Sequence, residues 1–109
     1  MSPRAREPHL LPQARQDVAD AFAWYQRQNP GLGLDFVRCL EATLHSIQRR
    51  PLMYPAVLGE YHRALVRRFP YAIFYDIEPE RIVVHAVFHC SQDPDKWQTR
   101  LRDYGYQGS

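Results

Sequence analysis

The sequence predicts an α+β domain in which an N-terminal α-helical hairpin packs on a three- to four-stranded antiparallel sheet, followed by a short C-terminal helix. Residues 13–28 and 32–49 carry apolar side chains at the three- and four-residue spacing of amphipathic helices. In residues 61–77 the side chains should instead alternate between the two faces of a sheet, as they do in β-strands. Residues 81–89 form the most apolar run of the chain, as expected of a central strand. A chain of 109 residues suffices for one hydrophobic core, so we expect a single domain over residues 1–109.

The helical hairpin is delimited by residues that start or break helices. Pro12 suits the first turn of a helix, because its missing amide hydrogen would have no intrahelical partner there. The segment 29–31 (Asn-Pro-Gly) interrupts the pattern, since the residue before proline avoids the helical region and glycine tolerates the turn. Pro51 ends the second helix, and so short a link makes the two helices antiparallel neighbours. A brief edge strand is expected at residues 9–11 and a last helix at residues 95–101. The two ends, residues 1–6 and 104–109, are expected to be flexible.

The sheet is expected as an antiparallel meander, because its three main strands are joined by short connections. These strands are expected at residues 61–69, 71–77 and 81–89. In the first strand, alternation places Arg63 and Arg67 on one face and Arg68 on the other. In the third, His85 should share a face with Val87 as a partly buried histidine. The hairpin should shield one side of the sheet and leave guanidinium groups on the other side to bind a partner.

Composition narrows the class of protein. Hydrophobic residues at 45% and charged residues at 24% match an ordinary globular protein, and no run approaches the roughly 18 apolar residues of a membrane span. The N-terminus has no apolar signal segment. Cys39 and Cys90 lack the spacing of a metal or redox motif, and no two histidines suggest a metal site. We therefore expect a cytoplasmic protein with reduced thiols, no cofactor, no metal and no membrane contact.

The basic residues are nearly all arginine, since Lys96 is the only lysine, and the net charge is +2. Arginine's planar fork suits phosphates, carboxylates and bases, so arginines in or beside the sheet could meet nucleic acid or an acidic partner. A solvated face with salt bridges to nearby carboxylates is the alternative. Trp24 falls off the main apolar stripe of the first helix and is a candidate for partner contact, with packing as the alternative. The candidate partner-binding residues are Arg63, Arg67, Arg68, Tyr75, Arg81 and Trp24.

Short motifs follow one another along nearly the whole chain. They are Ala14-x-x-Asp17, Trp24-Tyr25, Asn29 to Gly33, Phe36, Ile47 to Pro55, Arg67 to Tyr75, and Val83 to Trp97. In this order and spacing the chain resembles the RelE/ParE superfamily, the toxins of type II toxin–antitoxin systems, and in particular the ParE-like branch often labelled plasmid stabilisation proteins. The resemblance implies a small α/β toxin neutralised by a cognate antitoxin, whose extended or helical tail orders as it binds the toxin's groove and sheet.

The resemblance implies one of two targets. RelE-like members cut messenger RNA, usually on the ribosome, whereas ParE-like members poison DNA gyrase by stabilising cleaved DNA. A ribonuclease needs a group that activates the ribose 2′-hydroxyl, a group that protonates the leaving oxygen, and cations around the developing charge. In that case the catalytic residues would be His89, Arg67 and Arg63, with Glu60 as an alternative base.

Two departures from the family pattern favour the ParE-like reading. Gln92 stands where the family's strand-end motif often carries an arginine just before Asp-Pro. The lysine-rich active face associated with RelE is also absent, since the chain has one lysine. We therefore expect a toxin that acts by protein binding, with DNA gyrase as its target, rather than an enzyme. An mRNA endoribonuclease and a degenerate, non-toxic member are the alternatives.

Overall fold

The computed structural model describes residues 6–105, and it has the predicted fold class. In chain order the elements are β1 (Glu7–Leu10), α1 (Pro12–Gln28), α2 (Leu32–Arg49), a short 3-10 turn (Pro51–Met53), β2 (Ala56–Leu58), β3 (Tyr61–Leu65), β4 (Tyr71–Ile77), β5 (Arg81–His89) and α3 (Pro94–Gly105). The helical hairpin, the sheet and the C-terminal helix are thereby confirmed. The expectation of flexible ends falls mainly on residues outside the described range.

The sheet has five strands in the order β1-β5-β4-β3-β2. It differs from the predicted meander at both edges. β2 forms in a stretch expected to be a loop, and β1 pairs with β5 in parallel, with Glu7 opposite Arg81 and Leu10 opposite Val84. The pairing of β1 with β5 joins distant parts of the chain, so no local turn signal reports it. The antiparallel core of β3, β4 and β5 is as predicted.

The hairpin of α1 and α2 covers one face of the sheet and encloses the larger core cluster. The two helices approach closely at Gly33, where a Cβ atom would lie 2.8 Å from the carbonyl oxygen of Phe22. Gln26 uses its side-chain oxygen to accept hydrogen bonds from the amides of Gly31 (3.2 Å) and Gly33 (3.0 Å), which satisfies free donors at the start of α2. The buried residues on this face include Ala14, Ala21, Tyr25, Phe36, Leu40, Ile47, Ile73, Tyr75, Ile82 and Val84.

The opposite face of the sheet is covered as well, because α3 lies across it. Leu101 is fully buried, and Trp97 stacks on Phe74 with ring centroids 4.7 Å apart. The expectation that this face is left open is therefore wrong, although Arg63, which pairs with Phe74 in the ladder, lies on it as predicted. An apolar cluster that includes Phe74, Ala86 and Leu101 lies on this face under the third helix.

The first predicted strand is shorter than expected, because the chain turns after Leu65. The amide of Val66 donates to the carbonyl of Tyr71 (2.8 Å), which closes a tight hairpin between β3 and β4. Arg68 adopts a positive φ of 71° within this turn. Arg67 and Arg68 therefore lie at the tip of a hairpin, and the prediction that Arg67 shares a strand face with Arg63 is wrong.

Candidate functional site

An open groove runs between α1 and the ends of β4 and β5, with a volume of about 600 Å³. We call it the α1 groove. Its lining combines aromatic, acidic and backbone groups from three elements and from the loop after β5. The lining residues are Asp17, Asp20, Ala21, Trp24, Tyr25, Pro70, Tyr71, Val87, Phe88, His89 and Gln92.

A bulge in β5 places His89 in this groove. Tyr75 pairs with Val84 and Phe74 pairs with Ala86, so His85 is an extra residue in the ladder. As a result Val84 and Val87 both face the helical hairpin, although strict alternation would separate them. His85 turns to the other face, where it packs edge-on against Tyr61 (centroids 4.9 Å apart). The predicted shared face of His85 and Val87 is therefore wrong.

Aromatic rings form the wall and floor of the α1 groove. Trp24 is 49% exposed, which agrees with the expected exposure, and it packs edge-on against Tyr25 with centroids 5.1 Å apart. Tyr25 in turn contacts Tyr71, and Tyr71 contacts His89 with centroids 5.1 Å apart. Burial raises the pKa of Tyr71, and the nearby Tyr25 and Asp17 raise it further. The phenol is therefore neutral at pH 7.

His89 is held in one tautomer by the loop that follows β5. The amide of Ser91 donates to Nδ1 of His89 (3.0 Å), and the Ser91 hydroxyl lies 2.7 Å from the same atom. An amide can only donate, so Nδ1 must be the acceptor and the ring proton is assigned to Nε2. In this arrangement Nε2 carries the N–H donor, whereas the lone pair that a general base needs is already engaged at Nδ1.

One of the groove's carboxylates, Asp17, takes part in an ion pair that the sequence did not indicate. Arg100 on α3 donates two hydrogen bonds to the carboxylate of Asp17 on α1, at 2.7 and 3.1 Å. The same carboxylate accepts a hydrogen bond from the amide of Val87 (2.9 Å), and the guanidinium lies 4.5 Å from the ring centroid of Phe88. Asp17 belongs to a motif of the resemblance, but its partner lies on the last helix and no local pattern indicates it. We call this pair the Asp17–Arg100 clamp.

The clamp lies beside a stretch of β5 that has no strand neighbour on its outer side among residues 6–105. β1 pairs with β5 only as far as Val84, after which the chain enters α1. The amide of Val87 bonds to Asp17, so the polar backbone groups of Val87 point away from β4, and alternation gives His89 the same orientation. The His89 amide therefore points to the side of β5 on which no strand of residues 6–105 pairs beyond Val84, and it borders the α1 groove.

Of the four predicted sheet arginines, only Arg63 shares a cleft with His89. This smaller cleft adjoins the α1 groove at Phe88, His89 and Gln92, and we call it the Arg63 cleft. Arg67 and Arg68 are exposed at the hairpin tip. Within residues 6–105, no carboxylate lies in salt-bridge distance of Arg63, Arg67 or Arg68.

Two predicted partner-binding residues lie away from the groove. Tyr75 is fully buried and its hydroxyl donates to the carbonyl of Pro51 (2.6 Å), so it has no surface to offer a partner. Arg81 begins β5, roughly 26 Å along the strand from His89 at about 3.3 Å per residue, and pairs with Glu78 at 3.1 Å. Glu60, the alternative base, is exposed in the turn between β2 and β3. Alternation along β4 could not indicate that Tyr75 is fully buried whereas Tyr71 is only partly buried.

Two further features bear on the kind of site. Among residues 6–105, no three histidine, cysteine, aspartate or glutamate side chains gather as a metal site. Within the same range no helix is both long and apolar enough to cross a membrane.

Comparison with known families and structures places this fold. The family described as "ParE toxin of type II toxin-antitoxin system, parDE" matches residues 9–94. The chain belongs to the ParE toxin family. A search of curated proteins found no match.

Two solved structures share the ParE-family fold of the chain. One comes from the chromosomal ParDE toxin–antitoxin system of P. aeruginosa, with a TM-score of 0.70 and 12% identity over 78% of this chain and 96% of that one. The other comes from the RelBE2 toxin–antitoxin complex of Mycobacterium tuberculosis, with a TM-score of 0.56 and 19% identity over 81% of this chain and 94% of that one. At these identities the likeness concerns the fold.

Proposed function

We propose that this ParE-family protein is the toxin of a type II toxin–antitoxin pair, that it arrests growth by binding DNA gyrase in the cytoplasm, and that a cognate antitoxin neutralises it through the α1 groove. The observation that carries the proposal is the groove itself, which joins a half-exposed tryptophan to an edge of β5 that no strand of residues 6–105 covers. Both structural neighbours come from toxin–antitoxin systems, which supports an antitoxin as the partner.

The free edge of β5 favours an extended partner segment. A strand laid along an exposed sheet edge gains main-chain hydrogen bonds, while side-chain pockets provide specificity. Here the His89 amide supplies a backbone donor, and Trp24 and Tyr71 supply apolar surface. Tryptophan and tyrosine are enriched among the residues that dominate binding energy at interfaces. An antitoxin tail that becomes ordered on binding fits this surface.

The geometry around His89 favours action by binding over RNA cleavage. Nδ1 of His89 is engaged by Ser91, so the ring does not present a free base in this conformation. Of the cations expected to stabilise a cleavage transition state, Arg67 lies at the hairpin tip and only Arg63 shares a cleft with His89. Gln92 lines that cleft where the family's motif often has a further cation.

The proposal is tested by inducible expression in a bacterial host. We expect growth arrest, gyrase-linked DNA breaks, intact transcripts by primer extension, and rescue by co-expression of the antitoxin encoded beside the gene. Purified protein added to gyrase and supercoiled plasmid should increase the cleaved DNA. Transcript cleavage that His89→Ala abolishes would instead identify a ribonuclease. Tight antitoxin binding without arrest would identify a degenerate member.

The role of the groove is tested separately by its exposed tryptophan. Trp24→Ala should weaken antitoxin binding by about 2 kcal/mol, or roughly 30-fold in Kd, as expected of an aromatic hot spot. The matched control is Leu34→Ala, because Leu34 is similarly exposed (51%) on α2 and does not line the groove. Equal losses in the two variants would count against the groove as the antitoxin site.

A further inference from the structure

The lining of the α1 groove has the opposite charge to the sheet arginines, although the hairpin that carries Arg67 and Arg68 ends beside the groove at Tyr71. Its lining contains two carboxylates and one imidazole, and no lysine or arginine lines it among residues 6–105. The Asp17 carboxylate is already neutralised by Arg100 and accepts from the Val87 amide. Asp20 remains as an exposed carboxylate whose only side-chain partner within residues 6–105 is the neutral amide of Gln16 (2.8 Å).

Asp20 and Trp24 lie four residues apart on α1 and both line the groove. Residues at this spacing are neighbours on a helix surface, with Cβ atoms about 5–6 Å apart. The indole is 49% exposed, so a cation can approach the ring. A guanidinium stacked on an indole gains a cation–π contact and can pair with a carboxylate beside it. An anion at this place would meet an uncompensated carboxylate and the negative face of a ring.

The adjoining Arg63 cleft favours an anionic group instead of a cation. Arg63 has no carboxylate in salt-bridge distance among residues 6–105, and His89, which lines both clefts, carries a further N–H donor at Nε2. A segment that crosses both clefts therefore meets a carboxylate and an indole first and a guanidinium last. A partner segment with only acidic residues, as the arginines alone would suggest, would leave the charge of the Asp20 carboxylate without a cation.

We propose that the partner segment carries an arginine or lysine that binds between Asp20 and Trp24, so that the cation fixes the direction in which an extended, apolar segment lies in the α1 groove. This rests on the proposed function only in that the natural segment is the tail of an antitoxin. The occupant is an extended protein segment of mixed charge, with its cation at the α1 end and its carboxylate at the Arg63 end.

The test uses a library of 12-residue peptides displayed on phage and selected on the intact protein. We expect the enriched peptides to carry an arginine or lysine among alternating apolar residues, and to lose enrichment on Trp24→Ala. In fluorescence anisotropy, replacing that arginine with citrulline, its neutral isostere, should lower affinity for the wild type about tenfold, the scale of one cation–π contact plus one exposed ion pair.

A coupling measurement with Asp20→Asn decides the assignment. On this variant the same citrulline substitution should cost less than about threefold, because the carboxylate that the cation pairs with is gone. Glu41→Gln, an exposed carboxylate on α2 outside the groove, is the matched control and should keep the full effect.

Three results would overturn the inference: enriched peptides without a cation, an equal citrulline effect on wild type and Asp20→Asn, or no enrichment over Trp24→Ala. Growth arrest and antitoxin rescue test the proposed function without reference to the charge of any peptide. The two can therefore fail independently.

Discussion

Replacing Arg100 with methionine removes the cation from the Asp17–Arg100 clamp while keeping a long side chain on α3. The clamp joins α1 to α3 and holds the carboxylate that bonds the Val87 amide at the free edge of β5. Loss of the guanidinium leaves the carboxylate with the amide as its one remaining partner among the contacts within residues 6–105. It also removes the cation from the face of Phe88.

The size of the effect follows from burial. Removing one partner of a buried ion pair costs about 3–5 kcal/mol. The side chains of Arg100 and Asp17 are 20% and 13% exposed. Water can therefore partly solvate the Asp17 carboxylate once the guanidinium is removed. We therefore expect the free energy of unfolding to fall by about 2–3 kcal/mol. For a domain of this size that corresponds to a Tm lower by about 10–20 °C.

The assay is urea and thermal unfolding followed by circular dichroism, with Arg102→Met as the control. Arg102 is exposed on the same helix and has no salt bridge within residues 6–105. Its replacement should change stability by less than about 0.5 kcal/mol. A double-mutant cycle with Asp17→Asn should give a coupling energy above about 1 kcal/mol. A loss in Arg100→Met no larger than in Arg102→Met would refute the assignment of the clamp.

Three further predictions concern the core. Gly33→Ala should lower the free energy of unfolding by about 1–3 kcal/mol, measured in urea, because the new Cβ would lie 2.8 Å from the Phe22 carbonyl and force the helices apart; an unchanged midpoint would contradict this close approach. Tyr75→Phe should cost about 1 kcal/mol in the same assay by removing the hydrogen bond to the Pro51 carbonyl, whereas a neutral effect would place that hydroxyl in water. Burial raises the pKa of Tyr71 and Tyr75, so the folded chain keeps protons that the unfolded chain releases near pH 10. This contribution to stability should be complete below about pH 9 and should be lost as the pH rises through 10 and beyond, less steeply in Tyr75→Phe; equal slopes would contradict it.

The elements that local patterns specify were predictable. The boundaries of α1 and α2 follow from Pro12, the Asn-Pro-Gly segment at 29–31 and Pro51, and the helices end close to those positions. The exposure of Trp24 followed from its place off the apolar stripe. The alternation of β4 was also predictable, since Ile73 and Tyr75 pack under the helical hairpin whereas Ala72 and Phe74 pack in the other cluster.

What the sequence could not indicate depends on long-range contacts or on backbone geometry without a residue signature. The turn after Leu65 uses a positive φ at Arg68, a residue type that rarely signals a turn. The bulge at His85 lies in a run that is apolar on both faces, so alternation has no phase to reveal it. The Asp17–Arg100 clamp joins the first helix to the last. These three features shape the α1 groove, so only some of the residues that line it could be identified from the sequence.

Hydrogen–deuterium exchange of the protein with and without its antitoxin tests the central assignment most directly. If the α1 groove binds the antitoxin, the amide of His89 should be protected in the complex, together with the surface of α1 around Trp24, and Trp24→Ala should reduce that protection. Protection confined to the outer face of α2 or to the β2 edge, with His89 exchanging as it does in the free protein, would contradict the assignment.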